Sequence, residues 1–481
     1  MQWLTNGDAP QQKPPECRNP NGTKTVKTVT AAAREAGGWA LRRPERQLLT
    51  GCLLLVALGF LMVLGSGQVA GRRLGLLDLL PLLTYAASLV VIHLTLVLFR
   101  FRGDQLLPVV AAFLSGLGLL AQYRLGAFDG ADLRANVRFI FPGGVLVMLA
   151  ICIAGMRGRY RRLAAWPWVW AGLSLVLLAG VLLTGQRFRG AVYALGFITP
   201  TELLKITVLL FLADLIDRDA KALGNWGRPW PVPPWLIPPF GALLPLLAFW
   251  ALLAGLLLLQ RDLGMFVILS VALLVLLVAG TARWGYLVYG ILAATGVGYL
   301  MLTLFAHGQR RIQAWQTPFD DPTGTGWQIL QGLSGMYSGG LWGEGFGRGN
   351  PEYTPIAESD LIYSVIGEEL GFFGCAAVVV FYLILFGRGL RIAGRTGTAF
   401  GMLLGLGLTT VTATQTFLNI GGVTKFIPLT GITLPFISQS GSSLLVAFFS
   451  LGLLLAISDG EVAKARPKQD KPKRRRGKAD A

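Results

Sequence analysis

The sequence predicts an all-α polytopic membrane protein, a bundle of about twelve transmembrane helices with one large extracytoplasmic loop. Three observations carry this. Of the 481 residues, 53% are hydrophobic and 14% charged, and mean hydropathy is +0.57. The apolar residues fall in runs long enough to span a bilayer, longer than soluble cores use. The polar residues gather instead in one long stretch from His307 to Glu369.

In chain order, residues 1–46 are rich in Pro, Asn, Thr and Lys without periodicity, and read as a disordered cytoplasmic leader. The first apolar run starts too late for a cleaved signal peptide. The membrane domain, 47–458, opens with runs at 48–66, 77–98, 105–123, 137–155, 166–184 and 199–216. Six more follow at 238–259, 263–280, 285–306, 363–386, 398–420 and 440–458. An even number of crossings puts both termini on one side. The basic tail, 459–481, fixes that side as cytoplasmic, because Lys and Arg concentrate on cytoplasmic flanks. Counting back, Arg388, Arg391 and Arg395, then Arg283, then Arg218, Lys221 and Arg228, then Arg157, Arg159, Arg161 and Arg162, then Arg100 and Arg102 fall on the same side. The 307–362 loop and the turns at 185–198, 260–262 and 422–439 then face outward.

The net charge of +18 is spread over such flanks and the tail rather than gathered on a reading face, which excludes a nucleic-acid binder. Anionic lipid or a cytoplasmic protein suits the tail. Cys52, Cys152 and Cys375 lie in apolar runs and Cys17 in the leader, with no CxxC spacing, so disulfides and zinc sites are not expected. His93 and His307 read as packed or interfacial residues.

Several polar constellations interrupt the apolar body. GEGFGRG, Gly343 to Gly349, looks like a phosphate-cradling loop but follows no strand. It is either a flexible turn or a row of backbone N–H groups facing an anionic substrate, with Arg348 among them. Glu202 and Lys205 stand three apart and share a helix face at the start of a membrane run. They are either a self-neutralising pair or a contact for an anionic headgroup. Gln260, Arg261 and Asp262 form a second knot, in which Asp262 either caps the next helix or touches a ligand.

Six carboxylates follow the glycines: Glu344, Glu352, Glu358, Asp360, Glu368 and Glu369. Any of them qualifies by type as a general base. Glu368 and Glu369 fall about two turns into a membrane helix, where an unpaired charge is costly, so a polar cavity or a structural network surrounds them. Asp360 reads either as a helix cap or as a base. Chemistry alone does not choose. The stretch PLTGITLPFISQSGSS, Pro428 to Ser443, reads as a re-entrant or broken segment, with Ser442 among its hydroxyls and no His base for a serine nucleophile.

Together these segments resemble the SEDS family (shape, elongation, division and sporulation; FtsW/RodA/SpoVE-like). TPTELLK is similar to that family's QPSELxK, LLLLQRDLG to its QPDLG, and SGGLWGEGFGRG to its SGGLxGxGxG. ESDLIYSVIGEELGFFG is similar to HTDFIFAVIGEELGFxG, and NIGGVTKFIPLTGITLPFISQSGSS to NIGxxTGxxPxTGxPLPFxSxGGSS. The likeness covers roughly 185–458. It implies a peptidoglycan glycosyltransferase that polymerises lipid II at the outer face of the bacterial cytoplasmic membrane, partnered by a class B penicillin-binding transpeptidase. The family's catalytic aspartate falls on Asp360, which would deprotonate an acceptor hydroxyl while undecaprenyl pyrophosphate leaves.

The resemblance also implies that Glu202 and Lys205 shape the same cavity. For the leaving charge, Arg261, Arg348 and Lys425, or a divalent cation, are the candidates. The pattern departs at Glu358 and Ser359, where the family has His and Thr, at Arg261 in place of Pro, and at SQSGSS in place of SYGGSS. About two helices more than the family's ten precede Glu202. Two other classes stay open: a lipid II flippase, and a non-catalytic scaffold for a synthase.

Overall fold

A computed structural model of the chain describes residues 42–66, 79–126, 141–184, 186–188, 191–194, 199–226, 238–304 and 306–464. The leader to residue 41 and the tail from residue 465 lie outside the described residues.

Each of the twelve apolar runs carries an α-helix. They are α1 (Arg43–Gly65), α2 (Leu80–Leu98), α3 (Leu106–Arg124), α4 (Phe141–Gly155), α5 (Pro167–Thr184), α6 (Pro200–Gly224), α7 (Phe240–Gln260), α8 (Leu263–Thr281) and α9 (Gly285–Leu304), then α12 (Ile362–Arg395), α13 (Ala399–Val423) and α14 (Gly441–Lys464). Eight of these twelve segments are long and apolar enough to cross a membrane, by length and composition. The polar stretch before α12 is no bare loop. It holds α10 (Ala306–Gln316) and α11 (Trp327–Gly339). A two-stranded antiparallel hairpin, Gln186–Phe188 with Ala191–Ala194, stands where a plain turn was expected.

α6 is the hub. Nearly every residue from Leu204 to Ile216 is buried, and α5, α8, α13 and α14 pack around it. Apolar side chains gain little by leaving lipid for protein, so this packing rests on close fit and on polar links between helices. Ser174 Oγ on α5 donates to Thr207 Oγ1 on α6 at 2.8 Å. Tyr85 on α2 donates to the Ala112 carbonyl of α3 at 2.9 Å. At the end assigned to the cytoplasm, Arg388 donates to Asp104 at 2.7 Å, and Asp459 accepts the Arg102 and Arg157 backbone N–H groups.

α1 lies along α3, and α2 touches α3 and α4. Between α1 and α2, the buried Glu45 pairs with Arg42 and lies 3.7 Å from His93. His93 is thus a packed residue.

α12 is two helices merged at Gly371, whose φ of 66° and ψ of −165° break the ladder. The chain approaches itself closely there: a Cβ at Gly371 would collide with the backbone of Leu341 and Gly343. Only glycine fits. The short piece before this kink carries Glu368 and Glu369, and the loop from 340 to 350 folds down onto it.

Candidate functional site

One polar cavity of about 440 Å³ opens among the start of α6, the start of α8 and the irregular strap between α13 and α14. α6 begins with Pro200 in its first turn and places Glu202 there, where the helix N-terminus favours a carboxylate. One turn on, the buried Lys205 Nζ donates to Glu202 Oε2 at 2.6 Å and to Gln415 Oε1 at 2.7 Å. Gln415, from α13, completes the link by donating to the Thr433 carbonyl at 2.9 Å. A buried ammonium is tolerated only when its hydrogen bonds are met. Here oxygens from two helices, α6 and α13, accept from it.

Asp262 lines the opposite wall. Its Oδ1 accepts the Met265 N–H at 3.0 Å, so it caps α8 and faces the cavity at once. Burial pushes its carboxyl above the ordinary range, against the opposing pull of the Met265 N–H. Ser442 sits below: its Oγ accepts the Thr199 N–H at 2.8 Å and pins the start of α6.

Asp360 lies in the turn before α12, which begins after Leu361, so Asp360 is not the cap. It is half-buried at the cavity's edge, between Ser359 and Gly431, which both line it. Ser359 Oγ donates to Asp360 Oδ1 at 2.8 Å. Gly431, at φ 75°, leaves open the space that a side chain would fill: Asp360 Oδ2 lies 3.5 Å from where its Cβ would stand.

The backbone of this turn is held at three successive carbonyls. That of Glu358 accepts from Gln122 Nε2 at 2.8 Å and from the Gln439 N–H at 2.8 Å. That of Ser359 accepts from Ser438 Oγ at 2.6 Å. That of Asp360 accepts from Asn419 Nδ2 at 2.9 Å, and the same nitrogen donates to the Ile432 carbonyl at 2.6 Å.

Other expected site residues lie apart from the cavity's lining. Glu368 and Glu369 are buried, and they serve the glycine loop. Glu369 Oε2 accepts the Gly347 N–H at 2.6 Å, and Glu368 Oε1 accepts the Asn350 N–H at 2.5 Å. The Glu344 and Gly345 N–H groups go to the carbonyls of Glu368 and Glu369. The loop therefore spends these four N–H groups on α12, which favours the turn over the anion-facing row, the two readings left open by the sequence.

Arg124 of α3 closes this network, donating to the Gly349 carbonyl at 2.6 Å and lying 3.3 Å from Glu369. Arg348 is exposed on the same loop. Arg261 is exposed in a left-handed turn after α7, and Lys425 is in another left-handed turn after α13. None of the three is among the residues that line the cavity.

Residue-by-residue reading missed Gln415, Asn419 and Arg311. A signal existed for the first two: amides four apart inside an apolar run share a helix face and are costly unless bonded. Arg311 lay in a polar stretch with nothing to single it out. Among the described residues, no three His, Cys, Asp or Glu side chains converge to hold a metal ion.

Removing either partner of the Lys205–Glu202 pair should destabilise the fold. In a double-mutant cycle of Lys205→Met and Glu202→Gln, followed by thermal unfolding in detergent, we expect coupling of about 1–3 kcal/mol. Additive effects would show that the contact carries no energy.

Comparison with known proteins gives one consistent answer. The sequence model of the FtsW/RodA/SpoVE cell cycle proteins matches residues 104–462. The chain is 34% identical over 397 residues to the peptidoglycan glycosyltransferase RodA of Mycobacterium tuberculosis, covering 79% of this chain and 83% of that protein. It is 31% identical to the stage V sporulation protein E of Bacillus subtilis, covering 74% of this chain and 96% of the relative. Among solved structures, one from a study of polymerization and crosslinking by a peptidoglycan synthase complex is 28% identical. It covers 75% of this chain and 98% of that one, with a TM-score of 0.59. The rod shape determining protein RodA of Thermus thermophilus is 27% identical, covering 74% and 97%, with a TM-score of 0.51. On sequence and fold together, this multi-pass membrane protein belongs to the FtsW/RodA/SpoVE family of cell cycle proteins.

Proposed function

We propose that the protein is a peptidoglycan glycosyltransferase that polymerises lipid II at the outer face of the bacterial cytoplasmic membrane, during elongation or division. The observation that carries this reading is the half-buried Asp360 at the edge of the one cavity that the buried Lys205 and its partner Glu202 line. The relatives named as peptidoglycan glycosyltransferases supply the reaction class.

In the reaction, Asp360 takes the proton of an acceptor sugar hydroxyl. The oxygen attacks the anomeric carbon of the donor, and the bond to undecaprenyl pyrophosphate breaks with its electron pair on the diphosphate. A carboxylate suits the base role because it is acceptor-only when ionised and is oriented here through Ser359 and Asn419. The Lys205–Glu202–Gln415 cluster shapes the cavity floor.

Twelve crossings with both termini cytoplasmic put the cavity mouth outside, and a class B penicillin-binding protein is the partner. The similarity to a peptidoglycan synthase complex supports that pairing. Purified protein with such a partner should extend labelled lipid II into glycan strands. Movement of lipid II between vesicle leaflets without polymer would instead mark a flippase.

The topology is tested separately. In a cysteine-free background, a cysteine at Arg348 should react with an impermeant maleimide on intact spheroplasts, and one at Arg391 only after permeabilisation. The reverse pattern would invert the assignment.

A further inference from the structure

The cations expected to meet the departing diphosphate are not the ones the fold presents to the cavity. Lys205 is engaged by Glu202 and Gln415, and Arg261, Arg348 and Lys425 lie outside the lining. Arg311 is outside that lining too, but it touches the rim itself, at Thr430 and Gly431. α10 is docked across the strap by two residues one turn apart. Arg311 donates from one terminal nitrogen to the Thr430 carbonyl at 2.6 Å, and the Trp315 indole N–H donates to the Lys425 carbonyl at 3.0 Å. Thr430 and Gly431 line the cavity.

The other terminal nitrogen of Arg311 lies 3.6 Å from the point a Gly431 Cβ would occupy, and Asp360 Oδ2 lies 3.5 Å from that same point. The two groups therefore flank Gly431 at a separation of at most about 7 Å, the sum of these distances. Within that bound, base and guanidinium are close enough for one lipid-linked sugar, bent around Gly431, to meet the carboxylate with its acceptor side and the guanidinium with its diphosphate. Asp262 on the far wall also feels the Arg311 charge.

A guanidinium has five N–H donors in a planar fork, and one bond to Thr430 leaves donors matched to phosphate oxygens. We infer that Arg311 is a catalytic residue which binds the diphosphate of the lipid-linked sugar and stabilises its charge as the glycosidic bond forms. The inference rests on the proposed polymerase reading, and α10 is the arm that brings the charge to the cavity. Gly431 is the gap that lets the base and the cation share one substrate.

The test separates the inference from that reading by measuring binding as well as turnover. Full-length protein in detergent would be titrated with undecaprenyl pyrophosphate and with undecaprenyl phosphate, followed by thermal shift. Arg311→Gln should weaken binding of the diphosphate by roughly ten- to a hundredfold, with a smaller loss for the monophosphate. Asp360→Asn, which removes a negative charge rather than a donor, should not reproduce this loss.

Arg311→Lys keeps the charge without the fork and should fall between. Trp315→Phe cuts the other docking bond of α10 while keeping the guanidinium, and should retain most of the affinity. Unchanged diphosphate binding in Arg311→Gln would overturn the inference. So would an equal loss in Trp315→Phe, since docking of α10 rather than charge would then account for the effect. If wild type binds the diphosphate in this pattern yet makes no polymer, the polymerase reading fails and the Arg311 site stands.

Discussion

Asp360→Asn is expected to lower the rate of glycan polymerisation by roughly 10²- to 10⁴-fold, the usual contribution of a positioned general base. It should do so with little loss of fold. The structural duty of residue 360 runs through its backbone carbonyl, bonded to Asn419, and an asparagine keeps that carbonyl. It also keeps a side-chain oxygen to accept from Ser359. What disappears is the basic carboxylate. Gel analysis of product from labelled lipid II, with thermal unfolding run in parallel, measures both quantities. Equal polymer from wild type and variant would remove Asp360 from the chemistry.

The second large effect is expected from Arg124→Met, this time on stability. Arg124 lies 3.3 Å from the carboxylate of Glu369, which is 1% exposed, and it also holds the Gly349 carbonyl. Removing one partner of a buried pair typically costs about 3–5 kcal/mol, because the other charge is left stranded. The longer contact to Glu352 adds little, since that carboxylate is more than half exposed. Adding Glu369→Gln to Arg124→Met should recover part of the loss by removing the stranded charge. If Arg124→Met unfolds at the wild-type temperature, the network does not secure the glycine loop to α12. Early proteolytic cutting between 340 and 350 in the single variant would be the local sign of the same failure.

Run length made the helices legible in the sequence. An apolar stretch of about twenty residues has few alternatives to a membrane helix, and all twelve stretches carry helices. The polar region was harder. α10 and α11 are short, with charged or glycine-rich neighbours, and the sequence around them resembles a loop.

Of the site, the Glu202–Lys205 spacing was readable because i and i+3 share a helix face. The partner that completes it, Gln415, comes from a helix about two hundred residues away, and no local pattern reports such a contact. The glycine loop was left as either a turn or an anion-facing row for a related reason. Composition reveals that N–H groups are plentiful, but not whether a ligand or a neighbouring carboxylate will take them. Asp262 was left as either a cap or a site residue. The structure gives it both positions, since a cap bonds with one oxygen and leaves the other.

The three carbonyls held in a row at Glu358, Ser359 and Asp360 have a consequence for how this chain can vary. Gln122, Gln439, Ser438 and Asn419 all grip main chain there. Such a clamp is indifferent to side-chain identity, so the main chain at residue 360 is held without the side chains of its two predecessors, and only the Ser359 hydroxyl reaches the carboxylate itself. That is how Glu358 and Ser359 can depart from the His and Thr of the pattern that this segment resembles without displacing the aspartate. The exposed side chain at residue 358 is thereby free to change, and residue 359 to vary among hydroxyl-bearing side chains, while the chemistry keeps its place.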